Sequence, residues 1–473
     1  MKIHTFARGV HPREGKSLAE DASLEVLPIP ESIKVPMSQH IGGICQPVVK
    51  ARDTVEAGQI IGEAAGFVSA AVHTPFPGTV TKISAVTLAN GRHVPAVIIK
   101  VDKIKTLAQA KNEVSARLGT DEISDDEIFE AYAHNLRKDF FTLPENFDLD
   151  TYSTETIFSL IQAAGLVGQG GAAFPTHVKL AKDEKFPIDT LLINGCECEP
   201  YLTADYRLML EAGELIITGA LLAGKVLGAS KILLCVEDNK PKAVENLQAI
   251  IARKGLKNIF VAVMRTKYPQ GGEKQLIQAA LGRKVAVGAL PKSVGAAVIN
   301  VGTAVSVTHA VTRKTPLLWR AVTVTGEGIH RPTNILAPIG ASFQDLISHC
   351  GGLKPHARRI LAGGPMMGFS VGSTDIPVTK GTSGITILTD TELSQTKQTN
   401  CLRCGRCVSV CPMRLIPTKL ATTSRAKAWD TFIKYHPLAC VECGCCSYEC
   451  PAAIPIVQLI RVGKIEINKR NKK

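Results

Sequence analysis

Eight cysteines fall in two runs, CLRCGRCVSVCP from Cys401 to Pro412 and CVECGCCSYECP from Cys440 to Pro451. Each run reads C-x2-C-x2-C-x3-C-P, the ligand spacing of paired [4Fe–4S] cubes. In that arrangement the first three thiolates of a run wrap one cube and the fourth reaches the cube of the other run. The spacing therefore groups Cys401, Cys404 and Cys407 with Cys450, and Cys440, Cys443 and Cys446 with Cys411. Cubes held in this way exchange single electrons. Evenly spaced quartets repeated twice fit zinc ribbons poorly. Cys445 breaks the spacing and reads as a non-ligand, while Cys45, Cys235 and Cys350 read as small buried hydrophobes.

A second chemistry-bearing segment is Gly168-Gln169-Gly170-Gly171-Ala172-Ala173-Phe174-Pro175-Thr176-His177-Val178-Lys179. Its glycines let backbone approach a ligand, Pro175 suits the first turn of a helix, and Lys179 follows one turn later. Those are the parts of a phosphate cradle. The strand-like run ending at Ile193 then leads into Asn194-Gly195-Cys196-Glu197-Cys198-Glu199-Pro200, which reads either as a ligand-facing strand end or as a turn with solvated glutamates.

The elements that must position these groups can be read from periodicity. Residues 30–100 alternate short valine-rich strands with turns at Glu56-Ala57-Gly58 and Pro75–Gly78, a pattern similar to the barrel-sandwich fold of lipoyl and biotinyl carriers. The tip Gly66–Ala71 offers no lysine to carry a prosthetic group, so this module is read as structural. Residues 102–152 are charged and helical in tendency and form a connector. From Ser153, an N-cap for a helix stopped by Gly165, helices alternate with strand-like runs at Thr190–Asn194, Ser230–Val236 and Asn258–Met264. Helices are expected at Asp205–Val226 and Pro241–Lys254. The alternation predicts an α/β domain with a largely parallel sheet over 153–312, with ligands at the carboxyl ends of its strands. A β-grasp-like domain is expected over 313–372, opened by the strand LWRAVTVTG and carrying a helix around Phe343–Cys350. The cluster-bearing helical domain follows over 373–473, and the first domain spans 1–101.

Composition sets outer bounds. At 473 residues with 45% hydrophobic and 21% charged content, the chain reads as several folded domains. The first residues show no apolar signal core, and no run reaches the roughly 18–20 apolar residues that span a bilayer, so a cytoplasmic chain with only peripheral membrane association is expected. The last 84 residues carry 14 Lys/Arg against 6 Asp/Glu, a net of +8. Without aromatic interleaving or a recognisable motif, nucleic acid is not the reading of that bias. The cations offset anionic cubes, and the tail Lys464, Lys469, Arg470, Lys472 and Lys473 suits an anionic leaflet or an acidic partner.

The glycine loop, Asn194–Pro200, Gly271-Gly272-Glu273 and Asn300-Val301-Gly302-Thr303 together resemble, in that order, the flavin- and NADH-binding subunit of respiratory complex I. With the barrel-sandwich segment in front and two ferredoxin runs behind, nearly the whole chain is similar to the C subunit of the Rnf/Rsx ion-translocating electron transport complexes. The A subunit of the sodium-pumping quinone reductase resembles the front part but lacks the cluster cysteines. The resemblance implies a complex-I-flavoprotein-like α/β domain, an SLBB-like β-grasp domain and a two-cluster ferredoxin domain. It also implies FMN, with Gly168, Gly170, Gly171, Phe174 and Lys179 as its cradle and Asn194, Asn300 and Thr303 as contacts. Glu197, Glu199 and Glu273 would line the nicotinamide side, with NADH as substrate. Integral membrane subunits and a ferredoxin-like subunit would be its partners, at the cytoplasmic face of the inner membrane. Against the complex I pattern, Gln169 replaces an arginine, Ala173 a glycine, Cys196 an aspartate and His177 a glycine. Two other readings of the same residues are a cluster-bearing scaffold without its own nucleotide site, and the flavin subunit of a soluble NADH-dependent reductase. The segment Gly363–Gly368 is read as an inter-domain turn without chemistry.

Overall fold

The computed structural model describes residues 3–393 and 396–470, so Lys472 and Lys473 of the basic tail lie outside the described residues. Four strands, Ser32–Pro36, His93–Val101, Gly78–Thr87 and Thr54–Val55, form one antiparallel sheet. Three short ones, Gln46–Pro47, Ile60–Glu63 and Val72–His73, form a second. Buried Ile33, Val35, Ile61, Val72, Val80, Val97 and Ile99 contribute to the core here. The tip after Ile60–Glu63 does not swing free. Phe67 stands edge-on to His177 at 5.5 Å between ring centroids, and His177 Nε2 lies 2.9 Å from Phe67 O. The module is thereby held against the glycine loop.

The connector is a helical pair, Lys103–Leu118 and Asp125–Phe141. Asp102 caps the first by accepting from Lys105 N, and Ser124 with Glu127 closes a capping box on the second.

The α/β domain carries a four-stranded parallel sheet in the order Ile259–Met264, Lys231–Glu237, Thr190–Gly195, Ala296–Asn300. Its strands are apolar on both faces, as parallel strands covered by helices must be. The register sets Asn194 beside both Cys235 and Asn300, so two asparagines end up side by side at the carboxyl edge. Ser153 caps the helix Thr154–Ala163 by accepting from Thr156 N, as its position implied.

The single helix expected over Asp205–Val226 is two helices, Ala204–Glu211 and Gly213–Leu227. Ala212 sits at φ −123° and ψ 26°, outside the helical region, and the break stands because Asn246 Nδ2 donates to the freed carbonyls of Met209 and Leu210. The second helix crosses Val301–Thr312 at very short range. A Cβ at Gly219 would lie 1.9 Å from Ala304 O. Gly219→Ala gains at most about 1 kcal/mol of helix propensity, whereas forcing two buried backbones apart costs about 1–3 kcal/mol or more. The substitution is therefore expected to lower Tm in a thermal melt; an unchanged or raised Tm would show that the crossing relaxes.

A six-stranded sheet follows, ordered Leu24–Val26, Thr333–Pro338, Trp319–Thr325, Gly384–Thr389, Ala357–Ala362, Phe369–Val371. Two of its strands come from outside the segment 313–372. Leu24–Val26, placed with the N-terminal domain, pairs in parallel with Thr333–Pro338 instead. Gly384–Thr389, placed with the cluster domain, is wholly buried between Trp319–Thr325 and Ala357–Ala362. Its run Gly-Ile-Thr-Ile-Leu-Thr is too apolar to stand at a surface. The helix Phe343–His349 covers this sheet behind a Ser342–Asp345 capping box.

The last domain is short helices around the cysteine runs, chiefly Pro417–Arg425 and Ile456–Arg470, packed through Leu420, Phe432, Val457 and Ile460.

Candidate functional site

The glycine loop lies against the end of the strand Ala296–Asn300, where a Cβ on Gly170 would sit 3.6 Å from Asn300 Cβ. It is pinned at its base by Gly168 N–H to Phe174 O (2.8 Å) and Gln169 N–H to Thr303 Oγ1 (2.9 Å). The amides of Gly170, Gly171 and Ala172 make no hydrogen bond among the described residues. They stand at a loop tip next to Asn300, whose side chain caps the Val301–Thr312 helix by accepting from Gly302 N at 2.8 Å. Free amides beside a helix N-terminus suit a phosphate. Ala173 holds φ +49° and Gly171 φ +97°, so the alanine that replaces a glycine keeps the left-handed backbone that glycine favours.

The other expected residues converge on the same edge. Asn194 Nδ2 donates to Gly271 O at 2.8 Å, and a Cβ on Gly271 would sit 2.2 Å from Cys196 O, so this close approach requires glycine. Lys179 Nζ contacts Glu273 Oε1 at 2.7 Å and Val298 O at 2.9 Å, both groups being part-exposed. Glu197 and Glu199 are placed differently from a pair of free carboxylates. Glu197 accepts from the amides of Asp205 (2.9 Å) and Tyr206 (3.3 Å), capping a helix. Glu199 accepts from Met366 N (2.7 Å) and Met367 N (3.0 Å) in the turn Gly363–Gly368, so that turn has a partner in the strand-end loop. Burial pushes the Glu199 carboxyl above its usual range against the pull of those amides.

Four side chains that the sequence did not single out complete the edge. Arg320, the second residue of the strand Trp319–Thr325, is buried and donates to Gln169 Oε1, Gln169 O (3.2 Å) and Thr382 O (3.0 Å). A guanidinium thus reaches the loop although position 169 is glutamine. Lys16 Nζ donates to the carbonyls of Glu197 (2.7 Å), Glu199 (3.1 Å) and Leu202 (2.6 Å), tying down the whole strand-end loop. Lys380 Nζ bridges Ala71 O and Gly165 O (2.7 Å), and burial pulls it down to about 7. Asp205 accepts from Asn300 Nδ2 at 2.6 Å. Burial and then the neighbouring Glu197 charge push its carboxyl up to about 7. The only sequence signal for any of these was a lone charge in the buried run LWRAVTVT.

The Asp205 shift has a stability consequence. The folded pKa exceeds the unfolded one, so the contribution is complete below about pH 4 and is lost as pH rises through about 7. Asp205→Asn keeps an acceptor for Asn300 without the charge. Its Tm relative to the parent is expected to rise between pH 5 and 8, and a pH-independent difference would refute the shift.

The two cysteine runs fold alike. Arg403 and Glu442 have φ +56° and +57°, Gly405 and Gly444 +76° and +84°, Arg414 and Ala453 +57° and +48°. At the same step of each run an amide faces sulfur, Arg403 N–H to Cys401 Sγ and Glu442 N–H to Cys440 Sγ, both 3.4 Å. Cys411 lines one cavity with Cys440, Cys443 and Cys446, its other walls mostly apolar. Burial raises the Cys407 thiol, and its charged neighbours are Cys450, Cys401 and Cys404. A cavity wall that draws four thiols from both runs suits a cube better than a single ion. Among the described residues no three of His, Cys, Asp or Glu close tightly enough to hold one metal ion. The sets differ in exposure: Cys401 and Cys404 are exposed, whereas Cys411, Cys443 and Cys446 are buried. Cys445 is buried too, its sulfur 3.5 Å from Cys443 Sγ. Cys198, Tyr268, Met366, Cys443 and Cys445 share one apolar cluster, which joins the strand ends to the buried set.

Four known families match in chain order: the RnfC barrel sandwich hybrid domain at residues 4–104, the Nuo51 FMN-binding domain at 161–309, the SLBB domain at 321–370 and the 4Fe-4S dicluster domain at 400–454. The C subunit of the Na(+)-translocating ferredoxin:NAD(+) oxidoreductase complex of Acetobacterium woodii is 40% identical over 473 residues, covering 100% of this chain and 99% of that one. The chain belongs to the family of these C subunits. The C subunit of the proton-translocating ferredoxin:NAD(+) oxidoreductase complex of Clostridium ljungdahlii is 39% identical over 89% of this chain and 84% of its own. The C subunit of the ion-translocating oxidoreductase complex of Rhodobacter capsulatus is 37% identical over 99% and 84%. Among solved structures, an NAD+-reducing [NiFe]-hydrogenase in the H2-reduced state aligns at a TM-score of 0.48 and 20% identity, covering 69% of this chain and 64% of that one. The fold expected from sequence, barrel sandwich, FMN-binding α/β domain, SLBB domain and two-cluster ferredoxin domain, is the fold of the family, and FMN and two [4Fe–4S] clusters are the cofactors its domains are built for. Among the described residues no helix is long and apolar enough to cross a membrane.

Proposed function

We propose that the chain is the peripheral, cytoplasmic-face subunit of a membrane-bound ion-translocating complex, moving electrons between NADH and a ferredoxin-type acceptor alongside integral membrane subunits. The observation that carries this reading is the buried cluster of Cys198, Tyr268 and Cys443, which links the strand ends to one cysteine set while the other set reaches the surface. Bound FMN would accept electrons in pairs and release them singly, the conversion that a two-electron donor and one-electron cubes require.

The residues of the chain supply the setting. The free amides at 170–172, the Val301 helix N-terminus and Lys179 would hold the phosphate, and Asn194, Asn300 and Thr303 would orient the group. Glu273 adjoins Lys179 at the open side, where the nicotinamide would enter. Glu197 and Glu199 act through the backbone, fixing the loop between flavin and clusters. Asp205, behind Asn300, is the carboxyl placed to hold a proton at neutral pH. Cys401, Cys404, Cys407 and Cys450 would hold the exposed cluster, and Cys440, Cys443, Cys446 and Cys411 the buried one. Anaerobically reconstituted protein should oxidise NADH with a dye as acceptor. Bound flavin with no NADH oxidation would leave the chain a conducting scaffold. Purification without integral membrane subunits would favour a soluble reductase.

A further inference from the structure

We propose that the surface centred on Leu402 and ringed by Arg403, Arg406 and Lys419 is the docking face for the acidic side of a one-electron carrier protein. This rests on the proposed function above and names the chemistry of the partner at the exposed cluster.

The placement is local to that cluster. Leu402 lies between Cys401 and Arg403 and is 65% exposed; Ile416, 42% exposed, caps the helix that carries Thr418, whose hydroxyl is 3.7 Å from Cys401 Sγ. Arg403 adjoins Leu402, Lys419 adjoins Thr418, and Arg406 opens the short helix that packs on the one carrying Lys419; all three are exposed. No Asp or Glu occurs from residue 393 to residue 429. Among the described residues none of the three cations has a carboxylate partner, whereas Arg461 and Lys464 share Glu442, and Arg470 pairs with Glu466.

Offsetting the negative charge of a cube does not explain the arrangement. The buried cysteine set lacks solvent screening and needs compensating cations more than the exposed set does. Yet Arg461 and Lys464, beside the buried set, are already bound to Glu442, whereas Arg403, Arg406 and Lys419 have no carboxylate partner among the described residues. Unpaired charge at a surface raises the encounter rate of an oppositely charged partner. An exposed apolar centre excludes water from the contact, and small interfaces of this kind suit transient redox pairs. The transfer is balanced: one electron leaves the reduced cluster, which is oxidised, and reduces the carrier.

The test uses the full holoprotein with its clusters reduced by dithionite, so that the nucleotide site is not needed. An acidic [2Fe–2S] ferredoxin is the probe, because its EPR signal is distinct from that of a [4Fe–4S] cluster, and exchange is followed by rapid-freeze EPR. Exchange should slow as salt is raised, and should fall about 10-fold or more in Arg403→Glu/Arg406→Glu. It should fall several-fold in Lys419→Glu, which lies outside the ligand loops and keeps the question open to test if the double variant loses its clusters. Reduction of a small neutral dye should be unchanged in each. Salt-independent exchange, or parental rates in Lys419→Glu with both cluster signals intact, would overturn the proposal. So would loss of binding to phosphatidylglycerol vesicles with ferredoxin exchange intact. If NADH fails to reduce the clusters while dithionite-driven exchange keeps its charge dependence, the proposed function fails and the docking face stands.

Discussion

Cys411→Ala is expected to remove the cluster of the second run while sparing that of its own. The cavity that would hold the buried cube is walled by Cys440, Cys443 and Cys446 from one run and by Cys411 from the other. Cys411 is also the only one of the four supplied from before Pro412, at 8% exposure, with Leu415 N–H directed at its sulfur at 3.4 Å. Losing one of four thiolates there should lower iron content by roughly half and abolish one of two EPR signals in reduced protein. Cys450→Ala should remove the other signal. A Cys411→Ala spectrum that lacks only the cluster of Cys401, Cys404 and Cys407 would refute the exchange of fourth ligands.

Arg320→Met is expected to release FMN while leaving both clusters in place. Three hydrogen bonds run from the buried guanidinium to the Gln169 side chain, the Gln169 carbonyl and Thr382 O. Each buried acceptor left without a donor costs about 1–3 kcal/mol, and two of the three belong to the glycine loop. A loop that must then be reordered on binding should weaken FMN affinity by about 100-fold, since about 1.4 kcal/mol is a factor of ten. Flavin fluorescence titration measures this, and EPR confirms intact clusters. Unchanged affinity would mean that the Thr303 and Phe174 bonds hold the loop without help.

How much of this was legible beforehand follows from what sequence encodes. Ligand spacing is covalent, so Cys401–Cys450 could be grouped without a structure. Local periodicity carried the parallel strands and the Ser153 helix. Contacts between distant segments were not legible. Nothing in Leu24–Val26 says that it will pair with residues three hundred positions later, and the buried run at 384–389 has no local mark of its sheet. The helix break at Ala212 depends on Asn246 from another helix. Glu197 and Glu199 had the residue types of a nucleotide site, but their partners are backbone amides set by tertiary packing. Gln169 looked like a lost arginine, and only the fold shows Arg320 arriving from the neighbouring domain.

In the proposed function one chain couples a nucleotide site to two clusters through the Cys198–Tyr268–Cys443 contact. Absorbance and EPR of the anaerobically purified full chain, recorded before and after NADH alone, test that coupling most directly. Loss of the flavin band together with the appearance of reduced [4Fe–4S] signals is the expected result. A bleached flavin with clusters that stay oxidised until dithionite is added would contradict it.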